Sequence, residues 1–209
     1  MPDARALNEP FPTLPRQREA DRFGMLIFLA TEIMLFGGVF AAALVLRITH
    51  PADYAAASRE MHLWLGGINT AVLLTSSLLV ALMVEAVRSG RPRRAAWLLG
   101  GTILLGLAFI FIKGLEYWKE YQDGLVPHLS DYALHGGPRE MFMNLYFVGT
   151  GLHAVHVTMG LLLLGSLIWP FGWARRDRSA TTAGNLALFW HLVDIVWIFL
   201  YPTLYLARG

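Results

Sequence analysis

Near its end the chain reads FWHLVDIVWIFLYPTLYL, from Phe189 to Leu206. This stretch is apolar and close to the length of about 20 residues that a helix needs to cross a bilayer. It nevertheless contains His191 and Asp194, which are three residues apart and therefore share one helix face. A charged side chain at the bilayer centre costs about 2.5–3.5 kcal/mol on insertion scales. The stretch therefore predicts a helix that turns its polar groups toward protein rather than lipid.

The composition indicates an all-α integral membrane protein. Of the 209 residues, 56% are hydrophobic and 15% are charged, whereas soluble domains average about 25% charged residues. The chain has no cysteine, which excludes disulfides, iron–sulfur clusters, thiolate-bound copper and covalently attached c-type haem. Sites built from histidine and carboxylate remain open. The net charge of +2 gives no indication of nucleic-acid binding.

Five segments are predicted to cross the membrane as helices, because only helices and closed barrels satisfy their backbone in lipid and no strand-like alternation is present. They are Phe23–Leu46, Leu63–Val87, Ala95–Glu116, Met141–Trp169 and Leu186–Leu206. We therefore expect a five-helix transmembrane domain over residues 23–209. It follows a polar, proline-rich tail over residues 1–22, which is either flexible or a strap along a partner.

The basic residues predict the direction of insertion. The tail, the link between the second and third spans and the link between the fourth and fifth spans lie on one side of the membrane. Together these segments hold eleven arginines, whereas the other side holds five basic residues. Because basic loops stay in the cytoplasm, the N-terminus is predicted to be cytoplasmic and the C-terminus periplasmic.

Ionisable groups inside a span are functional candidates by default. Lys113 and Glu116 lie three residues apart in the third span and are expected to form a structural ion pair, with proton conduction as the alternative. Glu32 lies in the first span, where the next basic residue is Arg47. It is either a hydrogen-bonded carboxyl that joins helices or a group that exchanges protons.

Histidines form the rest of the candidate polar network. His153 and His156 share a face of the fourth span. Because the fourth and fifth spans are antiparallel, Asp194 is expected near the depth of His156. We consider two hydrogen bonds between helices: one from a histidine to Asp194 and one from Glu32 to a histidine. These residues also form a conceivable haem or non-haem metal site, but polar bonds between helices are the commoner role, so no metal is predicted.

Five stretches carry a resemblance to a known family. In chain order they are FLATEIMLFGGVFAA, NTAVLLTSS, FIKGLEYWKEY, GLHAVHVTMG and the closing FWHLVDIVWIFLYPTLYL. With this order and spacing the sequence resembles subunit III of the haem–copper cytochrome c oxidases. The mitochondrial type has seven helices in a pair and a group of five. This chain matches the group of five, as bacterial five-helix members do, so the lipid-holding cleft between the two groups is not expected here.

The resemblance implies a supporting subunit of an oxidase that passes electrons from cytochrome c to oxygen. Glu32 matches the family's carbodiimide-reactive carboxyl, and His153, His156 and Glu116 match other recurring polar positions. His191 and Asp194 are implied to belong to a polar network in a bundle packed on the catalytic subunit. The subunit is expected to help proton uptake and to protect against inactivation during turnover.

The resemblance also implies cofactors, partners and location. No cofactor is expected in this chain; haem and copper belong to partner subunits, and phospholipid can bind along the bundle. The implied partners are the haem-bearing subunit I, subunit II, membrane lipids and, in some settings, a larger respiratory supercomplex. The implied location is the bacterial cytoplasmic membrane.

Three alternatives stay open at this point. One is the accessory subunit of nitric oxide reductases, which shares the five-helix pattern; the glutamate in TEIMLF favours the oxidase. Another is a small haem-binding membrane cytochrome. The last is a proton-coupled transporter, although paired broken helices of the inverted-repeat kind are not evident.

Overall fold

The computed structural model describes residues 13–126, 137–167 and 176–208, and every regular element in these ranges is a helix. In chain order the helices are α1 Leu14–Thr49, α2 Pro51–Glu60, α3 Leu63–Arg88, α4 Pro92–Gln122, α5 Gly137–Ser166 and α6 Arg176–Tyr205. All except α2 are long and apolar enough to span a bilayer. The chain is therefore a multi-pass membrane protein, and the predicted set of five spanning helices is confirmed.

The helix ends differ from the predicted ones in places. Helix α1 begins at Leu14, nine residues before the predicted start of the first span at Phe23. The second half of the predicted tail is therefore helical and continuous with the span. Residues 1–12 lie outside the described residues, as does Trp169, the predicted end of the fourth span. The sequence patterns do not predict α2, because its ten residues are too short to cross a bilayer.

Glycines end two of the spanning helices in the same way. After α3, Gly90 adopts a left-handed conformation with φ of 66°. This lets the amide of Arg91 donate to the carbonyl of Ala86 at 2.9 Å and the amide of Gly90 donate to Val87 at 3.0 Å. This Schellman motif satisfies carbonyls that the helix end leaves free. The turn at Gly90 leads directly into α4, which begins at Pro92. At the other end of α4, Gly124 adopts the same φ of 66°.

Helix α6 is the central element of the bundle. It packs against α3, α5 and α1, while α3 and α4 form an antiparallel pair. Within the most apolar part of each span, 56% of the α6 residues are buried by the protein, but only 17% of the α1 residues are. Helix α1 is therefore peripheral, and most of its apolar surface faces outward.

Trp190 of α6 fits into space left by two glycines. A Cβ added at Gly160 of α5 would lie 2.8 Å from the indole ring, and one at Gly106 of α4 would lie 2.9 Å from it. The indole N–H donates to the hydroxyl of Ser76 on α3 at 3.1 Å. Small residues let helices approach closely in membranes, and here they admit a large ring that contacts three helices at once.

Trp197, two helical turns further along α6, repeats this arrangement. Its indole N–H donates to Thr70 on α3 at 3.0 Å. Its ring meets Phe109 of α4 edge-on with centroids 4.9 Å apart, and it lies 5.1 Å from the ring of His153 on α5. The two tryptophans therefore fix the register of α6 against the same three neighbours.

The short helix α2 covers the C-terminal end of α6. The Tyr54 hydroxyl donates to the Thr203 carbonyl and the Ser58 hydroxyl donates to the Leu204 carbonyl, both at 2.8 Å. Arg59 donates to the carbonyl of Arg208 at 3.0 and 2.8 Å. Burial raises the pKa of Tyr54 to about 12, so its hydroxyl remains a donor at neutral pH. These bonds satisfy carbonyls that the end of α6 would otherwise leave without partners.

Candidate functional site

The polar residues predicted from the sequence form separate groups in the structure. Lys113 and Glu116 lie in one buried group, which we name the lysine cluster. Its members are Lys113, Glu116 and Glu120 of α4, Tyr146 of α5 and Tyr205 of α6. Glu32 and His156 form a second site between α1 and α5. His191 and Asp194 lie at a third place, beside Ser77 of α3.

The lysine cluster joins three helices through one ammonium group. Lys113 Nζ donates to Glu116 at 3.0 Å, to the Tyr146 hydroxyl at 2.8 Å and to the Tyr205 hydroxyl at 2.6 Å. Tyr205 in turn donates to Glu116 at 2.8 Å, and Tyr146 donates to Glu120 at 2.5 Å. All five side chains are almost fully buried. Each hydrogen of the ammonium group therefore has an acceptor from within the protein.

Aromatic rings surround the same ammonium group. Lys113 Nζ lies 4.6 Å from the ring centroid of Tyr146 and 5.0 Å from that of Tyr117. It is also 5.6 Å from the ring of Trp197. Such faces attract a cation, most strongly when it is desolvated. This geometry fits a structural role, because hydrogen-bond acceptors and aromatic rings of the protein enclose the ammonium group.

Glu32 and His156 form a short bond between α1 and α5. Glu32 Oε2 lies 2.7 Å from His156 Nε2, and His156 Nδ1 lies 2.7 Å from the carbonyl oxygen of Leu152. The side chains are 13% and 9% exposed, respectively. Phe36 covers the imidazole edge-on at 5.1 Å. The site is thus nearly closed by the protein but reaches the surface along α1.

This geometry determines how many protons the pair holds. A backbone carbonyl only accepts hydrogen bonds, so Nδ1 of His156 carries a proton. The short contact between Nε2 and Glu32 then needs one further proton between its two atoms. The pair is either a neutral carboxyl with a neutral imidazole or a carboxylate with an imidazolium, and it has no net charge in both cases. The shared proton thus joins an acid on α1 to a base on α5.

Asp194 and His191 do not join the histidines of α5. His191 Nδ1 lies 2.7 Å from the Ser77 hydroxyl, and Ser77 also lies beside Asp194. Neither carboxyl oxygen of Asp194 forms a well-shaped hydrogen bond within the described residues. The expected bond from a histidine to Asp194 is therefore not formed. The helix packing explains this outcome. His191 and Asp194 of α6 both lie beside Ser77 of α3, and His156 of α5 is bonded to Glu32 instead.

The depth expected for Asp194 agrees with the contacts on either side of it. Trp190 contacts Gly160, and Trp197 contacts His153. Because α5 and α6 are antiparallel, Asp194 falls between these levels, near the depth of His156. The two groups share a depth but have different partners.

His153 is enclosed by rings. Its imidazole lies 5.4 Å from the ring of Phe109 and 5.1 Å from that of Trp197. In the part of the chain that the structure describes, neither of its ring nitrogens has a hydrogen-bond partner. No three histidine, aspartate or glutamate side chains converge as a metal site across residues 13–126, 137–167 and 176–208.

Glu120, Tyr146 and Tyr205 are members of the lysine cluster that the sequence analysis does not predict. Glu120 follows Lys113 by seven residues and Glu116 by four in FIKGLEYWKEY. This spacing places all three on one helix face, and it is the signal that could have found Glu120. No comparable signal identifies Tyr146, because its place in the cluster depends on how α5 is rotated against α4.

A comparison with protein families matches residues 16–208 to cytochrome c oxidase subunit III. The chain belongs to this family. The matched range includes all five spanning helices, the lysine cluster, the Glu32–His156 pair and the residues beside Ser77. The family resemblance read from five short stretches is therefore confirmed over nearly the whole chain.

Curated relatives include subunits of oxidases with different electron donors. Cytochrome c oxidase subunit 3 of Synechocystis is 32% identical over 188 residues, which cover 88% of this chain and 74% of the relative. Cytochrome bo(3) ubiquinol oxidase subunit 3 of Pseudomonas aeruginosa is 34% identical, covering 88% of this chain and 83% of the relative. Cytochrome c oxidase subunit 3 of Thermostichus vulcanus is 32% identical, covering 88% and 85%, respectively.

These matches identify the chain as subunit III of a terminal oxidase of the cytochrome c or quinol oxidase group. As a member of this family it associates with other oxidase subunits in the membrane. The matches give no support to the nitric oxide reductase, haem-binding cytochrome or transporter alternatives.

The lysine cluster yields a prediction about stability. Lys113→Met removes the cation and leaves two carboxyls buried, and breaking a buried ion pair in this way costs about 3–5 kcal/mol. We expect the free energy of unfolding, measured by denaturant titration in mixed micelles, to fall by that amount. The control Lys119→Met removes an exposed lysine six residues along the same helix and is expected to change stability by less than about 0.5 kcal/mol. Equal losses in the two variants would contradict the structural role.

The Glu32–His156 pair yields a prediction about chemical labelling. Glu32→Gln removes the carboxyl but keeps an amide that can donate to His156 Nε2. We expect the variant to assemble normally and to lose labelling by a hydrophobic carbodiimide, as read by peptide mass spectrometry. Glu85→Gln is the control, since Glu85 is exposed and bonded to Ser89 at 3.0 Å; it should label as the parent does. Full labelling of the Glu32→Gln variant would show that another carboxyl is the reactive one.

Proposed function

We propose that this chain is the non-redox third subunit of a haem–copper terminal oxidase in a bacterial cytoplasmic membrane. The observation that carries the proposal is the family match over residues 16–208. The five membrane-spanning helices agree with it. The haem and copper centres are assigned to partner subunits and no redox cofactor to this chain.

The proposed partner is the haem-bearing subunit I, together with subunit II and, in some settings, a larger supercomplex. Support comes from the outward-facing apolar surface of α1, where Ile33, Met34 and Leu44 are all more than half exposed. Such a surface faces either lipid tails or the apolar surface of another membrane subunit. The proposed role is to stabilise the catalytic subunit during turnover and to keep its proton uptake fast.

The Glu32–His156 pair is the proposed proton-exchanging group of this chain. Glu32 Oε2 and His156 Nε2 lie 2.7 Å apart, and the pair reaches the surface along the peripheral helix α1. The lysine cluster, in contrast, is fully enclosed and is assigned a structural role. His191 and Asp194, beside Ser77, are proposed to form the polar contact between α3 and α6. His153 is proposed to pack between the rings of Phe109 and Trp197.

The proposed electron donor belongs to one of two classes, cytochrome c or a quinol, because the relatives include oxidases of both kinds. The similar identities to cytochrome c oxidase and ubiquinol oxidase subunits indicate that the third subunit's architecture does not depend on the donor. We therefore propose that other subunits bind the donor and that this chain performs the same supporting task in both kinds of oxidase.

Removal of the subunit tests the proposed role. The oxidase purified with this chain is expected to complete many more turnovers before inactivation than the same oxidase stripped of it. The initial rate at saturating donor should change less than the lifetime. The measurement is oxygen consumption against time, and the control is the stripped enzyme to which the purified chain is returned. Equal lifetimes with and without the chain would refute the supporting role, and haem absorbance in the isolated chain would refute the non-redox assignment.

The proposed orientation has its own test, because the chain has no native cysteine. Single cysteines at Ser89, between α3 and α4, and at Glu60, at the end of α2, replace exposed residues on opposite sides of the bundle. With a cytoplasmic N-terminus, a membrane-impermeant maleimide applied to intact cells should label Glu60→Cys and not Ser89→Cys. Disruption of the membrane should make both react. The reverse pattern in intact cells would invert the orientation.

A further inference from the structure

Tyrosine and tryptophan rings form a continuous row through the lysine cluster, which we name the ring row. The ring centroids of Trp197 and Tyr205 are 6.3 Å apart, and Tyr205 lies 5.9 Å from Tyr146. Tyr146 lies 6.3 Å from Tyr117, and Tyr201 branches from Tyr205 at 5.4 Å. Tyrosine and tryptophan lose an electron more easily than the other aromatic side chains. Because electron tunnelling slows exponentially with distance, rings this close can pass an electron along the row.

The ring row reaches from the interior of the bundle toward its surface. Tyr117 and Tyr201 are partly exposed, whereas the other three members are buried. Trp118 and Tyr121 follow Tyr117 on α4; they are 61% and 57% exposed, and their ring centroids are 6.4 Å apart. An electron can therefore enter or leave the row at the surface, while its middle stays shielded from water.

Two phenols of the ring row have a carboxyl group as hydrogen-bond acceptor. Tyr146 donates to Glu120 at 2.5 Å, and Tyr205 donates to Glu116 at 2.8 Å. A buried tyrosine that loses an electron must also lose its phenolic proton, because a buried radical cation would be costly. A base can take that proton only within hydrogen-bond reach. Glu120 and Glu116 meet this requirement.

The other two phenols of the ring row are bonded to weaker bases. The Tyr117 hydroxyl lies 2.6 Å from that of Thr150, and the Tyr201 hydroxyl donates to the carbonyl of Leu63 at 3.3 Å. A hydroxyl and a backbone carbonyl accept a hydrogen bond but do not take up the proton of a phenol. The row can therefore pass an electron along several rings, but the geometry favours a neutral radical at the two phenols beside carboxyl groups.

The charges of the lysine cluster favour a radical at the same place. The cluster contains two carboxyl groups and one ammonium group, so one negative charge is unmatched when both carboxyls are ionised. Loss of one electron, with the phenolic proton kept on a carboxylate, makes the cluster neutral. An unmatched charge is costly in a buried site, so this oxidation reduces the charge that the bundle must hold. Lys113 also donates to both phenolic oxygens, at 2.8 and 2.6 Å.

We propose that the ring row conducts single oxidising equivalents and that the radical comes to rest on Tyr146 and Tyr205. The inference rests on the proposed role of this subunit in protecting the oxidase during turnover, for which it supplies a chemical means. The assignment of no redox cofactor to this chain is unchanged, because the groups that react are its own side chains.

The proposed cycle has two balanced steps. In the first, a one-electron oxidant of the reactive-oxygen class, released when the oxidase reduces oxygen incompletely, takes one electron from the ring row. A phenolic O–H bond breaks, and its proton moves to Glu120 or Glu116. In the second, a one-electron reductant of the cytochrome c or quinol class returns one electron, and the carboxylic acid returns the proton to the phenoxyl oxygen. One electron has then passed from reductant to oxidant, and the protein is unchanged.

The test uses the complete oxidase with a photo-oxidant at one position. Because the chain has no native cysteine, Lys119→Cys, at an exposed position, takes a ruthenium polypyridyl label on the purified chain, which is then returned to the stripped oxidase. After a flash with a sacrificial electron acceptor, the sample is frozen and tyrosyl radical is measured by electron paramagnetic resonance. The yield in Y146F/Y205F is expected to fall about tenfold, because both phenols that have a base are lost.

The matched control is Tyr54→Phe. Tyr54 is a buried phenol that donates to the backbone carbonyl of Thr203, and its loss should leave the radical yield at the parent value. Equal yields in the control and in Y146F/Y205F would overturn the proposal. A second measurement needs no change in the cluster: deuterated tyrosine in this chain alone should collapse the hyperfine splitting of the radical. An unchanged spectrum would place the radical in another subunit and would also overturn the proposal.

The lifetime of the enzyme separates this inference from the protective role on which it rests. Assembled oxidase with Y146F/Y205F is expected to lose activity after fewer turnovers than oxidase with Tyr54→Phe. If removal of the whole subunit shortens the lifetime but the two assembled variants last equally long, the protective role stands and conduction by the ring row is refuted.

Discussion

The arrangement of the bundle depends on the insertion of Trp190 and Trp197 between three other helices. In lipid there is no hydrophobic force to bring helices together, so shape and directed bonds decide how they pack. Each ring fits against α4 and α5, and each indole N–H has an acceptor on α3. The two rings are seven residues apart and lie on one face. Together the two tryptophans fix the rotation of α6 about its axis and its depth relative to α3, α4 and α5.

That register determines which polar groups meet. It brings the Tyr205 hydroxyl to Lys113 at 2.6 Å, and it directs His191 to Ser77 on α3 rather than to the histidines of α5. The Glu32–His156 pair depends least on α6, since it joins α1 to α5. The chain thus has an enclosed polar centre that holds helices together and a partly open one at its periphery.

The sequence was sufficient for features that are local along the chain. Length and hydropathy locate five spans, and spacing along one helix brings Lys113 next to Glu116. Contacts between helices depend on rotation and depth, which periodicity leaves undetermined. The expectation that Glu32 meets a histidine therefore could not specify His156, and the bond expected at Asp194 is absent from the described contacts. Helix α2 was not predicted, because its ten residues are too few to cross a membrane and the hydropathy pattern indicates only spanning helices.

Helix α2 also links two parts of the chain that are made at very different times. Tyr54 and Ser58 bond to carbonyls that follow them by 149 and 146 residues, respectively. During synthesis α2 is complete while four more spans have yet to enter the membrane. Its hydroxyls can find their acceptors only after Thr203 and Leu204 of α6 have been made. A product that terminates before the end of α6 therefore leaves the hydroxyls of Tyr54 and Ser58 without these acceptors.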